Sequence, residues 1–216
     1  TFTMASTSET GHAKNVANFQ ELIAFSTAYG ATYNPSKNAL KIPQLIALKA
    51  LADTKLNNVI NVNTQYNIAV NDRSTAFSGL KAYATRLVNA LQTTDASTET
   101  INNAKAFNRK MQGKRASAAP TPVDTNTPAP NTISTSQQSF DQLIQHFAGI
   151  KAILAAETSY SPNDTDLQVA AVQAKIDELN AKNNAVAIAY ANISNTRIDR
   201  NQTLYHPETG IVAVAA

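Results

Sequence analysis

The residue types that most often carry chemistry are few in this chain and poorly spaced for it. Three histidines occur, His12, His146 and His206. No two of them lie one helical turn apart and there is no HExxH, so the spacing does not build a zinc site. His146 stands beside Phe147 in an amphipathic stretch, where a packed or surface imidazole is expected, and Asp141 does not complete a site with it. Cysteine is absent, which removes thiolate nucleophiles, thiolate-held zinc and disulfides. Asp72 and Asp199 each precede an arginine, Arg73 and Arg200. One reading pairs the two aspartates as acid and base. The better one treats the arginines as packing residues, with stems buried along a helix seam and heads paired to nearby carboxylates. The chain has no P-loop, no GxGxxG and no GxSxG. The expectation is a non-enzymatic protein with no catalytic residue, no cofactor and no metal site.

One charge cluster remains. "KAFNRKMQGKR" carries Lys105, Arg109, Lys110, Lys114 and Arg115 around Phe107. At the end of a helix these cations complement the dipole. As an anion patch they would contact phosphates, which makes a nucleic-acid partner the alternative reading. No zinc-finger, RNP or helix-turn-helix pattern supports reading of bases. The formal net charge of +3 is too mild to imply a nucleic-acid or membrane partner by itself.

The elements that must position these residues are helical. Glycine is scarce, at 6 in 216 residues, which argues against the many tight turns of an all-β fold. Charged residues make up 15% against 43% hydrophobic, so a core can form while the surface is weakly charged. Residues 115–133 hold Pro120, Pro122, Pro128 and Pro130 with almost no large apolar side chain, and read as a linker. It separates residues 1–114 from 134–216, two halves expected to pack together as one domain.

The halves repeat one another. "NFQELI" from Asn18 is matched by "SFDQLI" from Ser139, "YNPS" from Tyr33 by "YSPN" from Tyr160, and "NDRSTAF" from Asn71 by "IDRNQTL" from Ile198. From the tyrosine onward the offset is a constant 127; before it the offset is 121, which predicts six extra residues in the second copy near "KAILAAE". Positions Leu45, Lys49, Ala52, Leu56, Val59, Asn63, Tyr66, Val70, Arg73, Phe77, Leu80, Ala84, Leu87 and Leu91 alternate four- and three-residue steps. So do Val172, Ile176, Leu179, Asn183, Val186, Tyr190, Ile193, Arg197, Arg200 and Leu204. Shifting the first set by 127 gives the second, so two long helices carry one seam in the same phase. Asn63, Arg73, Asn183 and Arg200 are the polar members of that seam that would set register.

Each half therefore reads as a short helix, a Tyr-x-Pro turn and a long helix. Pro43 suits a first helical turn, Asn163 would cap the second long helix, and Ser134 with Gln137 would form a capping box for the helix that follows them. Gly79 and His206-Pro207 are equivalent break points. If unbroken to Gln92, the first long helix would reach about 75 Å. A further amphipathic helix covers about 97–112, with Ile101, Ala104, Phe107, Asn108 and Met111 on one face. The tail "GIVAVAA" would be an edge strand or an extended arm on a neighbour. The fold class expected is all-α: an elongated antiparallel helical bundle of two duplicated hairpins with heptad-patterned long helices, joined by a Pro-rich linker.

The stretches "GHAKNVANFQELI", "NRKMQGKRAS", "SQQSFDQLI" and "RIDRNQTLY…TGIVAVA" resemble an uncharacterised flavobacterial (Bacteroidetes) family of helical proteins. The resemblance spans nearly the whole chain and implies a bacterial source, a function that need not be enzymatic, and a chain continuing past Ala216 with a basic, aromatic end. Long in-phase seams, low charge and the missing catalytic constellation lead to a structural or scaffolding protein. It would self-associate or bind helical partners, with a filament or sheath as its larger form. A helical membrane-interacting or toxin-like protein is the further alternative. No run is apolar enough to span a membrane, and the opening "TFTMASTSET" has no secretory pattern. Cytoplasmic is then the default location, with a surface or secreted one following if the N-terminus is processed.

Overall fold

A computed structural model describes residues 11–113 and 138–216. The linker at 115–133, Lys114, Arg115 and the capping box of Ser134 and Gln137 lie outside the described residues. Within them the chain is an all-α helical bundle. The helices are α1 (His12–Ala28), α2 (Ile42–Phe77), α3 (Leu80–Leu91), α4 (Thr98–Gln112), α5 (Phe140–Ala156), α6 (Val169–Tyr205) and α7 (Ile211–Ala215).

The duplication is visible in local chemistry. Tyr33 donates its hydroxyl to the Leu40 carbonyl at 2.7 Å, and Tyr160 does the same to Leu167 at 2.8 Å. Each bond staples the turn to a single turn of 3-10 helix, Asn38–Leu40 or Thr165–Leu167, that leads into the long helix. Burial of Tyr160 pushes its hydroxyl up to about 12. The short helices α1 and α5 have 17 residues each and end within one residue of the same distance, five before Tyr33 and four before Tyr160. The six extra residues expected near "KAILAAE" are therefore not found there. "NFQELI" begins well inside α1, whereas Ser139 of "SFDQLI" is the N-cap of α5, its Oγ accepting from Gln142 N. These two hexapeptides match in sequence without occupying equivalent places.

The first long helix breaks at the expected point, Gly79, whose φ of +77° is the left-handed conformation that glycine adopts freely, and restarts as α3. Other boundaries differ from the sequence expectation. Asn163 does not cap α6; Asp164 instead caps the 3-10 turn by accepting from Asp166 N at 3.1 Å, and α6 begins at Val169. The tail is neither strand nor arm. Gly210 N-caps α7, which lies on α1 with Ile211 buried, so local helical hydrogen bonds satisfy its backbone. The expected helix at 97–112 is present as α4, with Ser97 Oγ accepting from Thr100 N.

The chain divides into two compact units. Unit 1 comprises Thr1–Ile68 and Ala187–Ala216; unit 2 comprises Ala69–Val186. These boundaries cross the repeats. Each unit combines the short helix and the first part of one long helix with the last part of the other repeat's long helix. One ion pair records the plan twice. Lys55 meets Asp199 at 3.3 Å in unit 1, and Lys182 meets Asp72 at 2.7 Å in unit 2, so the same two positions meet with helix roles exchanged.

The core of unit 2 is extensive. Leu80, Leu87 and Leu91 of α3, Met111 of α4, Phe147, Ile150 and Leu154 of α5, and Val172 and Leu179 of α6 are buried together. Helix α4 comes close to α5 because residue 149 is glycine: a Cβ there would stand 2.6 Å from two carbons of the Phe107 ring. Unit 1 has a smaller core of Val16, Phe19, Ile23, Leu45, Ala52, Leu204 and Ile211. It has no counterpart of α4 among the described residues.

Candidate interaction surface

The basic cluster is the first predicted site to place. Lys105, Arg109 and Lys110 are exposed on α4. Gly113, at φ +75°, closes the helix with its N–H on the carbonyls of Arg109 and Lys110. The Lys110 carbonyl also accepts from Gln138 Nε2 at 2.6 Å, and its ammonium lies 5.6 Å from the Phe107 ring centre. Arg109 and Lys110 sit in the last turn of the helix, where they complement the dipole, and Lys105 lies before it.

The polar seam residues meet only in part. Arg73 and Asn183 are brought together: Arg73 Nη1 donates to Asn183 Oδ1 at 3.1 Å, and Asn183 Nδ2 donates to Asp141 Oδ1 at 2.7 Å. The Arg73 guanidinium also stacks 4.2 Å above the Phe140 ring. Arg200 instead binds the side chain of Asn201 beside it, at 2.9 and 3.1 Å. The position equivalent to Asn183 in the first repeat is Leu56, which offers no amide. The expectation that both arginine heads pair with carboxylates is thus corrected. Lysines take the aspartates, and the arginines take amides. Asn63 is half-buried on α2.

His146 is buried against α4, its ring 6.3 Å from that of Phe107 and its Nε2 without a hydrogen-bond partner among the described residues. Burial, and secondarily the Lys110 charge, holds it below the usual imidazole range. No group of three potential metal ligands occurs among the described residues. Two grooves repeat the duplication. One is lined by Tyr83, Arg86, Asp166, Ala171 and Lys175 in unit 2, the other by Ala39, Gln44, Leu48 and Glu208 in unit 1. In the first, Arg86 is paired with Asp164 and Lys175 with Glu178, so neither cation stands free for a ligand.

The most distinctive surface lies elsewhere. Among the described residues the exposed large hydrophobic side chains all belong to unit 1: Phe25, Tyr29, Ile46, Leu51, Ile60, Ile68, Ile188, Tyr190, Ile198, Tyr205 and Val212. Single exposed apolar residues are ordinary; their confinement to one of two units built on the same plan is not. The repeat supplies an internal control. Ile46, Leu51, Ile198 and Tyr205 correspond, 127 residues away, to Gln173, Glu178, Asn71 and Ser78 of unit 2.

On α6 the exposed residues form a second stripe. Ile188, Ala191, Asn195, Ile198, Gln202 and Tyr205 alternate three- and four-residue steps, and all six are exposed. The Tyr205 hydroxyl is held by α1, through His12 Nδ1 at 2.7 Å and Asn15 Nδ2 at 3.1 Å, which fixes where the ring lies. Burial, with Arg200 as the lesser cause, lowers the His12 pKa. The seam read from sequence on α6 is also thinner than expected in unit 1, because Tyr190 is 60% exposed and Arg197 is exposed. Tyr190 has one aromatic neighbour, Tyr66, at 6.0 Å between ring centres. The outward stripe was missed in the sequence because Ala191, Asn195 and Gln202 dilute its apolar signal. Comparison with its repeat counterpart, Asn61, Thr64, Ile68, Asn71, Thr75 and Ser78, would have exposed it.

No protein-family model, curated protein or solved structure matches this chain. Among the described residues no helix is long and apolar enough to cross a membrane.

Proposed function

We propose that this is a non-enzymatic structural protein that self-associates through the helical surface of unit 1. The observation that carries the reading is the confinement of exposed large hydrophobic side chains, among the described residues, to unit 1, with Gln173, Glu178, Asn71 and Ser78 of unit 2 at the counterparts of Ile46, Leu51, Ile198 and Tyr205. Ile188 and Ile198 leave 55% and 63% of their surface to solvent. Covering each would contribute about 1 kcal/mol, and a face that meets itself counts each residue twice. The nearby charge is neutralised, since Lys55 occupies Asp199, so little desolvation of unpaired charge opposes association.

Sedimentation equilibrium over a wide concentration range tests this. The expected result is a reversible, concentration-dependent rise in mass. A variant carrying Ile188→Asn and Ile198→Asn, which gives α6 the residues of the other repeat, should weaken association by about 4 kcal/mol, a factor of about a thousand. A wild-type chain that remains monomeric at every concentration would end the proposal.

A further inference from the structure

We infer that the outward stripe of α6 is a coiled-coil seam for a second copy of this chain, paired in parallel and in register to close a two-fold dimer. This rests on the self-association reading and adds its geometry. The stripe has the three-four spacing of a and d positions over Ile188, Ala191, Asn195, Ile198, Gln202 and Tyr205. An amide at an a position is both donor and acceptor, so it is satisfied by a copy of itself. Parallel pairing in register sets Asn195 against Asn195, Gln202 against Gln202 and each isoleucine against its own copy. Antiparallel pairing about the middle of the stripe sets Asn195 against Ile198 and Ala191 against Gln202, which leaves buried amides without partners.

The flanks also suit a second copy better than a charged foreign helix. Asn192, Ser194 and Asn201 border the seam and are neutral, and Asp199 is already paired with Lys55. Two copies therefore meet without like-charge repulsion, and no charge pattern selects another partner. A two-fold pair uses the same stripe on both copies and so closes at two.

The absence of native cysteine makes the test direct. Asn195→Cys introduces a single thiol, and facing a positions lie about 6 Å apart, within disulfide reach. Under mild oxidation the variant should cross-link fully to a dimer, whereas Asn58→Cys, off the stripe, should cross-link slowly. Ile198→Asn should raise the dimer Kd about thirty-fold with helical content unchanged, and Asn103→Gln, on the exposed face of α4 in unit 2, should leave it near the wild-type value. Slow cross-linking of Asn195→Cys alone, with rapid cross-linking of its mixture with Ile198→Cys, would assign the antiparallel pair and overturn the parallel one. Association that survives Ile198→Asn, or that grows past a dimer, would overturn the seam while leaving self-association intact. A monomeric wild type would remove both.

Discussion

Gly149→Ala tests the packing that distinguishes unit 2 from unit 1. The new Cβ would stand 2.6 Å from Phe107 Cε1 and Cζ and 2.8 Å from Cδ1, well inside contact distance. Alanine in a helix interior gains about 1 kcal/mol over glycine. Overpacking against a ring costs about 1–3 kcal/mol. Phe107 has Lys110 and His146 as neighbours, so the ring cannot move aside without disturbing them. The net expectation is a loss of up to about 2 kcal/mol, or a fall of up to roughly 6 °C in melting temperature for a chain of this size. In a Phe107→Leu background the obstructing ring is gone, and the same change should stabilise by about 0.5–1 kcal/mol. The four proteins are compared by urea and thermal denaturation followed by circular dichroism. The sign reversal is the decisive feature, because it separates a steric clash from any general effect on α5. If Gly149→Ala acts equally in both backgrounds, to within about 0.5 kcal/mol, the α4–α5 contact does not govern this site and the reasoning fails.

Two further outcomes concern titrating groups. Because burial lowers the His146 pKa, the unfolded chain takes up a proton at higher pH than the folded one. Stability is then full above the unfolded value of about 6.5 and falls as pH drops below it. His146→Gln should flatten that slope below about pH 6.5, measured as urea midpoints against pH; an unchanged slope rejects the assignment. Tyr160→Phe removes the donor to the Leu167 carbonyl and should cost about 1 kcal/mol, more than Tyr33→Phe, because Tyr160 is 8% exposed and Tyr33 only half-buried. Ultraviolet titration should show one tyrosine ionising near 12 that Tyr160→Phe lacks, and equal costs for the two variants would contradict the burial argument.

Much of the fold was legible because helical periodicity is a local signal. Every member of the first seam, from Leu45 to Leu91, is buried or half-buried. The Tyr-x-Pro echo proved to be a repeated hydrogen bond between positions seven residues apart, which a single sequence can show. The helix at 97–112 was marked by its face of Ile101, Ala104, Phe107, Asn108 and Met111, and the structure adds its serine N-cap and glycine end. The candidate surface was not legible in the same way. A pattern says which face of a helix is apolar, but not how much neighbouring chain is available to cover it.

The sequence by itself determined the all-α class, the duplication, the phase of the seams and the place of the breaks. These follow from residue spacing and from the backbone preferences of glycine, proline and capping side chains. Tertiary structure alone decided which parts of the two long helices share a unit, that Arg73 meets Asn183 while Arg200 turns to Asn201, and that "GIVAVAA" coils onto α1. It also decided which apolar residues stay in water. A repeat makes the two long helices nearly alike, but among the described residues α5 is covered by the 15-residue α4 and α1 by the 5-residue α7. Exposure is a property of neighbours distant in sequence, so Ile188 and Ile198 became a surface only once the chain was folded.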